Sequence, residues 1–400
     1  MNLIKLEFKK LFTPLTVVVL AVMLAVNMYA VFTHQGVFYA GARRTELTEL
    51  KAEESKMRGA IDDEWIAARN AEVQAILNAP EYQKNEEERE ELRRHMRDEG
   101  LSEALIEEQL AVPYNRLNAE GIGKYEQTEP YIVAANFYAH AELKKQDLLE
   151  EYAGDEAVCA DITERYDRLI NDYTAFYDYD LAYENIQYAA ANILHLTIGI
   201  PVLVGLAPLF ARERVRRTDA LLLSSKRGRH ELARAKICAG ALFAFCVWLM
   251  MVASVTAYAL LFFGTQGCGG LWQSFTDITS PFLWTIGQAV IIELLTCLVG
   301  TLFFAFAVML ISELSRSMFL AVILAAALLL TPMFLGLTAK TAVFLPTFIM
   351  RGVAIWSLYL PSKLFGSVVP RQYLALAAAA VLSAVCAAAS VRVFASSQAR

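Results

Sequence analysis

Apolar and polar positions alternate along this chain on the scale of whole segments. Six long apolar runs stand out, at about Leu15–Phe32, Ala189–Phe210, Ile237–Phe263, Trp284–Ile311, Met318–Leu337 and Tyr373–Val393. A helix needs ~20 predominantly apolar residues to cross a bilayer, so these runs predict six transmembrane helices. Ahead of the first run, Ile4, Phe8, Leu11 and Phe12 share one helical face, with Lys5, Lys9 and Lys10 mostly off it. Such a basic amphipathic segment predicts a helix lying in the membrane interface. Thr13 and Pro14 read as N-cap and first residue of the span that follows. A cleaved signal peptide is the rival reading of that run, but the run is long and lacks a small-x-small cleavage site.

Between the first and second runs lies a polar stretch, 34–187, rich in Glu, Ala, Leu and Arg and poor in β-branched runs. It predicts an inserted α-helical domain with helices over about Arg44–Asn78, Glu81–Asp98, Ser102–Leu110, Tyr131–Tyr152 and Glu156–Gln187. The first and last of these are expected to continue the flanking spans as a stalk. Pro80, Pro113, Gly121–Gly123 and Pro130 mark the breaks. Tyr166, Tyr173, Phe176, Tyr177, Tyr179, Tyr183 and Tyr188 gather at the end of the domain, as expected of packing plus an interfacial aromatic belt. A second irregular segment, 338–371, is apolar but broken by Pro346, Pro361 and Pro370. Its pieces are expected to be short helices dipping into the outer leaflet or lying on it. It carries Lys340, Arg351, Lys363 and Arg371, which run against the positive-inside rule for an outer loop.

Charge orients the whole. The stretch 210–236 reads FARERVRRTDALLLSSKRGRHELARAK, with nine Lys and Arg against Glu213, Asp219 and Glu231. A basic loop between spans stays cytoplasmic, because Lys and Arg resist translocation. The net charge of −6 conceals an asymmetry: 34–187 holds 35 acidic and 17 basic residues, and the rest holds 7 and 19. The polar domain is therefore expected outside and both termini in the cytoplasm. This topology accounts for the basic charge without nucleic acid. Composition agrees, since 56% hydrophobic residues exceeds the ~45–50% of soluble chains.

Candidate chemistry is sparse. His230-Glu231 lacks the second His of a zinc-protease helix, where Arg234 stands, and Gly123-Lys124 lacks the first Gly of a phosphate loop, where Asn118 stands. No catalytic set, metal site or cofactor site is expected in the chain. Cys238, Cys246, Cys297 and Cys386 fall in apolar runs, while Cys159 and Cys268 would be outside, free or paired. Glu293 lies inside the fourth run, where an ionised carboxylate is costly. It is expected to be protonated, paired or turned to the bundle interior, with His195 and Asn192 of the second span as candidate partners. In the basic loop, Thr218 can cap a short amphipathic helix over Thr218–Ser225, with Leu221 and Leu222 as an apolar ridge. Such a helix suits docking into a groove of a soluble partner.

The loop resembles the segment between the second and third spans of type-2 ABC exporter permeases, matched by Glu213, Thr218, Leu221, Leu222, Ser224, Arg229 and Lys236. It departs where Arg217 replaces a frequent Gly and where no Pro follows Ser224. The order of parts extends the resemblance over nearly the whole chain: interfacial helix, six spans, basic loop 211–236 after the second span, and broken segment 338–371 before the last. The large domain after the first span resembles a subset of bacterial members. The resemblance implies cytoplasmic ABC ATPase subunits carrying ATP and Mg, docked through Glu213, Arg217, Thr218, Leu221, Leu222 and Arg229. It also implies a second permease subunit, identical or different, and export of an unidentified substrate. The alternative is a membrane sensor or scaffold whose helical domain binds an outside partner.

Overall fold

The computed structural model describes residues 3–40, 51–52, 55–98, 101, 106, 134–215, 230–273, 280–315, 317–334 and 339–396. The described residues are 79% helical and add two two-stranded sheets. The class is therefore an all-α membrane protein. Helix α1 (Leu3–Leu11) leads into α2 (Pro14–Ala40), and Thr13 Oγ1 accepts from Thr16 N at 3.2 Å, so the expected cap forms. In the polar stretch follow β1 (Gly59–Ala60), α3 (Asp63–Leu77), α4 (Pro80–Asp98), α5 (Phe137–Glu151), α6 (Glu156–Asp167), a π turn at Arg168–Asp172 and β2 (Phe176–Tyr177). The bundle resumes with α7 (Leu181–Asn192), α8 (Leu194–Leu206), α9 (Pro208–Val215), α10 (His230–Phe263), α11 (Ile286–Leu314) and α12 (Met318–Phe334). Short helices α13 (Ala339–Ala342), α14 (Pro346–Ile349) and α15 (Gly352–Trp356), a hairpin of β3 (Pro361–Leu364) and β4 (Ser367–Pro370), and α16 (Arg371–Ser396) complete it.

Among the described residues, five helices are long and apolar enough to cross a membrane: Pro14–Val31, Leu194–Arg212, His230–Phe263, Ile286–Leu314 and Arg371–Ser396. The sixth expected span is the shorter α12; its 17 residues rise only ~26 Å. Helix α11 is the hub of the bundle, packed on α8, α10, α12, α16 and the short α14 and α15. Its first-turn amides are all used: Ile286 N donates to Gly270 O, Gly287 N to Cys268 O, and Gln288 N to Thr285 Oγ1 within a capping box. The loop before α11 is thereby pinned to its start. Asn27 of α2 ties three spans together, donating to Met251 O at 3.2 Å and Ser254 Oγ at 3.1 Å and accepting from Thr197 Oγ1. Cys159 and Cys268 are both free thiols, with Cys159 Sγ donating to Tyr152 O.

Three expectations need correction. Glu156–Gln187 is not one helix continuing into the span. Tyr138 Oη donates to Tyr173 O and accepts from Ala175 N, and Ile61 N takes Ala175 O. These bonds fix an extended stretch, and β2 pairs with β1 through Gly59↔Tyr177 and Ala60↔Phe176. Specific tertiary partners outweigh helix propensity here, and β1 likewise interrupts the helix expected over Arg44–Asn78. Second, the run Ala189–Phe210 is not one continuous helix: it breaks at Ile193 and at Ala207, just before Pro208, while α8 runs through Pro201. The break before α9 frees first-turn amides, and Ser312 of α11 caps them, accepting from Phe210 N at 3.0 Å and Ala211 N at 3.3 Å. Third, 338–371 is not helices alone. Phe365 (φ 49) and Gly366 (φ 87) make the tight turn of the β3–β4 hairpin.

That segment is roofed by the polar domain. Ile61, Phe137, Ile162, Tyr166 and Leu169 build a core separate from the bundle's, and Tyr359 packs into it. Tyr359 Oη donates to Asp161, which also takes Arg165 Nε at 3.0 Å. Lys340 pairs with Glu151, and Lys363 Nζ with Asp155 Oδ1 at 2.7 Å. Arg351 Nε donates to Ala191 O, and Arg371 Nε to Ser362 Oγ. The lysines that break the charge rule thus meet carboxylates of the acidic domain. Exposed pairs of this kind stabilise by only ~0–1 kcal/mol each, so their main effect is neutralisation.

Candidate functional site

Among the described residues, the bundle buries Glu293 in one place and the pair Glu7 and Lys236 in a second, with Glu313 also buried. Glu293 sits seven residues into α11 and is fully buried. Gln187 Nε2 donates to both its oxygens at 3.1 and 3.2 Å, and Trp272 Nε1 donates to Oε1 at 3.0 Å. All three bonds come from neutral donors. Trp272 is delivered by the loop pinned to the start of α11, and there Gly267 (φ 92) allows a close approach: a Cβ would stand 1.9 Å from Tyr179 O. Above Glu293, Trp272, Phe282, Trp284, Trp356 and Tyr373 form a continuous aromatic cluster with centroids 4.7–5.4 Å apart between neighbours. A cluster of this composition suits the membrane–water boundary. Of the aromatic residues at 166–188, expected to combine packing with a belt, Tyr166, Tyr177 and Tyr179 are packed inward and buried.

The expected partners of Glu293 are not brought to it. Asn192 Nδ2 donates to Tyr188 O of its own helix and is exposed. His195 is buried beyond the break at Ile193, and its Nδ1 has no hydrogen-bond partner among the described residues. Geometry gives the reason. Five residues separate Gln187 from Asn192, ~140° around a helix, so the face carrying Gln187 to Glu293 turns Asn192 away. Sequence reasoning missed Gln187 and Trp272, both of which lie outside the apolar runs.

Glu293→Gln should leave the fold intact, because an amide keeps one acceptor oxygen for Trp272. Glu293→Leu orphans two buried donors at ~1–3 kcal/mol each. The Leu variant should therefore lose folded yield in detergent while the Gln variant keeps it. A Gln variant that folds normally yet loses the protein's activity would give Glu293 a functional role beyond packing.

In the second place, Lys236 stands near the start of α10. It and Glu7 of α1 are each 1% exposed, with Nζ 3.1 Å from Oε2. Lys236 Nζ also donates to Leu209 O at 3.3 Å and lies 5.5 Å from the Phe210 ring centroid. Lys10 pairs with Glu7 from the same helix. Burial favours the neutral acid, but the Lys236 and Lys10 ammonium groups outweigh it and hold Glu7 below the usual carboxylate range. Removing one partner of a buried pair typically costs ~3–5 kcal/mol. Lys236 belongs to the loop pattern read from sequence, but its partner was missed. The signal was there: Leu3, Glu7 and Leu11 recur at i, i+4, i+8, an acid in an apolar stripe.

Of the loop residues, Arg217, Thr218, Leu221, Leu222 and Arg229 lie outside the described residues, as does the helix expected over Thr218–Ser225. Glu213 is carried on α9. The structure brings the two roots of the loop together, since Lys236 on the α10 side bonds Leu209 on the α9 side. An apolar groove of about 490 Å³ between α2 and α10 is lined by Leu24, Met28, Tyr258 and Leu261, among others.

Comparison with curated proteins finds no match, and neither does comparison with solved structures. The family model described as ABC-2 family transporter protein matches residues 1–350. The match spans the interfacial helix, the polar domain, the basic loop and the spans up to α14. That family is a membrane transport component rather than a catalytic one. The chain belongs to the ABC-2 transporter family and is a multi-pass permease subunit of an ABC transporter.

Proposed function

We propose that this permease works as an exporter subunit, driven by a separate cytoplasmic ATPase that docks on the loop after the second span. Two permease copies, or this chain and a related one, face each other, each on its own ATPase subunit. ATP and Mg are held by the ATPase. Thr218–Ser225 is the docking helix, Leu221 and Leu222 are its apolar anchors, and Glu213, Arg217 and Arg229 make contacts at the rim. The observation that carries this reading is the placement of the family match. Its basic loop leaves from α9 and returns to α10, and these two roots are fastened to each other and to the interfacial helix through Lys236. Co-purification of the chain with an ABC ATPase subunit, and stimulation of ATP hydrolysis by the complex in lipid, tests it. A chain purified from its native membrane without any ATPase subunit would overturn it.

The same reading sets the topology. Six spans, with α12 as the fifth, put both termini and the basic loop in the cytoplasm and the 34–187 domain outside. The contacts of 338–371 with that domain support a common side for both. In a background lacking the native cysteines, a membrane-impermeant thiol reagent on intact cells should label Glu88→Cys and spare Arg400→Cys. Labelling of Arg400→Cys from outside would sink the six-span arrangement.

A further inference from the structure

Lys236 holds three elements at one point. Glu7 brings the interfacial helix α1, Leu209 O and the Phe210 ring bring α9, and Lys236 itself stands on α10. It lies six residues after His230, where α10 begins, and Leu209 lies six residues before Val215, where α9 ends. At 1.5 Å per residue each is ~9 Å from its end of the loop. Helix α1 also packs on α10, and Phe12, just past the end of α1, meets Phe243 edge to face at 5.6 Å. Apolar contact alone would hold α1 in place, but it is non-directional and lets packed helices slide. A buried ion pair is a poor way to add stability, because desolvation offsets most of its attraction. Its distinctive property is direction, which fixes the register of the helices it joins.

We infer that Glu7 and Lys236 are a positioning pair that locks the interfacial helix, the end of span two and the start of span three into one rigid unit at the root of the basic loop. A push on the loop then moves all three together instead of being absorbed by sliding of α1. The inference rests on the proposed docking of an ATPase subunit on that loop. It assigns no contact with substrate or nucleotide to either residue.

The test uses the full chain with its co-purifying ATPase subunit in lipid nanodiscs and MgATP as the only added ligand. Removing one charge strands the other and can cost the fold, so the informative variant is the double replacement Glu7→Leu/Lys236→Met. It leaves no orphan charge, and isosteric apolar replacement of a buried pair is often neutral or stabilising. Expected are unchanged or higher thermal stability, full retention of the ATPase subunit in pull-downs, and a fall of about tenfold in ATP hydrolysis stimulated by the permease. Full stimulation in the double apolar variant would overturn the inference, because apolar packing would then suffice. Loss of the ATPase subunit from the stable double variant would also overturn it, since the pair would then serve docking rather than transmission. A wild-type chain that neither retains nor stimulates the ATPase subunit would instead overturn the docking reading beneath it.

Discussion

Replacing Leu221 and Leu222 together by Ala should strip the ATPase subunit from the purified permease and abolish export, while the protein still inserts and folds. Each Leu→Ala removes three carbons, ~2.4 kcal/mol at ~0.8 kcal/mol per buried CH₂, so the pair accounts for up to ~5 kcal/mol of docking energy. At ~1.4 kcal/mol per decade, that is more than three orders of magnitude in affinity. The bundle gives no reason for a folding defect. The loop's roots are held by Lys236 and by Ser312, none of which the substitution touches. Reversing Arg217 or Arg229 to Glu should weaken docking less, and more at low salt than at high, because rim charges steer association and are screened. Pull-down across a salt series reads both effects. Retention of partner and activity by the double-Ala protein would reduce the loop to a topology signal.

The spans were legible because their physics is local. A long apolar run must be helical in lipid, where every backbone group needs an internal partner, and so Ile237–Phe263 and Trp284–Ile311 fall within a few residues of α10 and α11. The cap at Thr13 was legible because capping, too, is local. What escaped depends on residues far apart in sequence. Gln187 reaches Glu293 across 106 positions and Lys236 reaches Glu7 across 229. The extended stretch after Asp172 follows Tyr138, not its own propensities. The β3–β4 hairpin escaped because its turn is Phe365-Gly366, where a sequence reader looks for Asn-Gly or Asp-Gly.

The basic segment 338–371 shows how a local rule fails for a physical reason. Positive charge on the non-cytoplasmic side is disfavoured when it must stand alone. Here the inserted domain supplies Glu151 and Asp155 to Lys340 and Lys363, and Asp161 to Tyr359. In the proposed topology, the acidic excess of the domain and the cations of 338–371 meet in one contact. The domain meets this segment at α13, Tyr359 and β3, and the same segment packs α14 and α15 on α11, with Gly352 against Glu293.

How closely those short helices approach α11 sets the last expectation: Gly352→Ala and Gly300→Ala should each destabilise the bundle, by ~1–3 kcal/mol or more. Helix propensity alone predicts the opposite sign at Gly300, where Ala in a helix interior is favoured by ~1 kcal/mol. Packing decides it. A Cβ on Gly352 would meet Glu293 O at 2.2 Å, and one on Gly300 would meet Met350 N at 2.5 Å and Ile349 C at 2.8 Å. These neighbours are backbone and cannot rotate aside, so α14 and α15 must move off α11, taking Trp356 Nε1 from its bond to Thr296 Oγ1. Gly240 and Gly199 are the controls. Their added Cβ would be as close, at 2.4 Å, but to Met309 Sδ and Leu329 Cδ1, the far ends of flexible side chains. Gly240→Ala and Gly199→Ala should therefore cost less than either backbone-facing variant. Thermal unfolding midpoints of the four variants in detergent give the order. Equal losses at all four, or a gain at Gly352, would mean that α14 and α15 are not seated against α11 as the geometry requires.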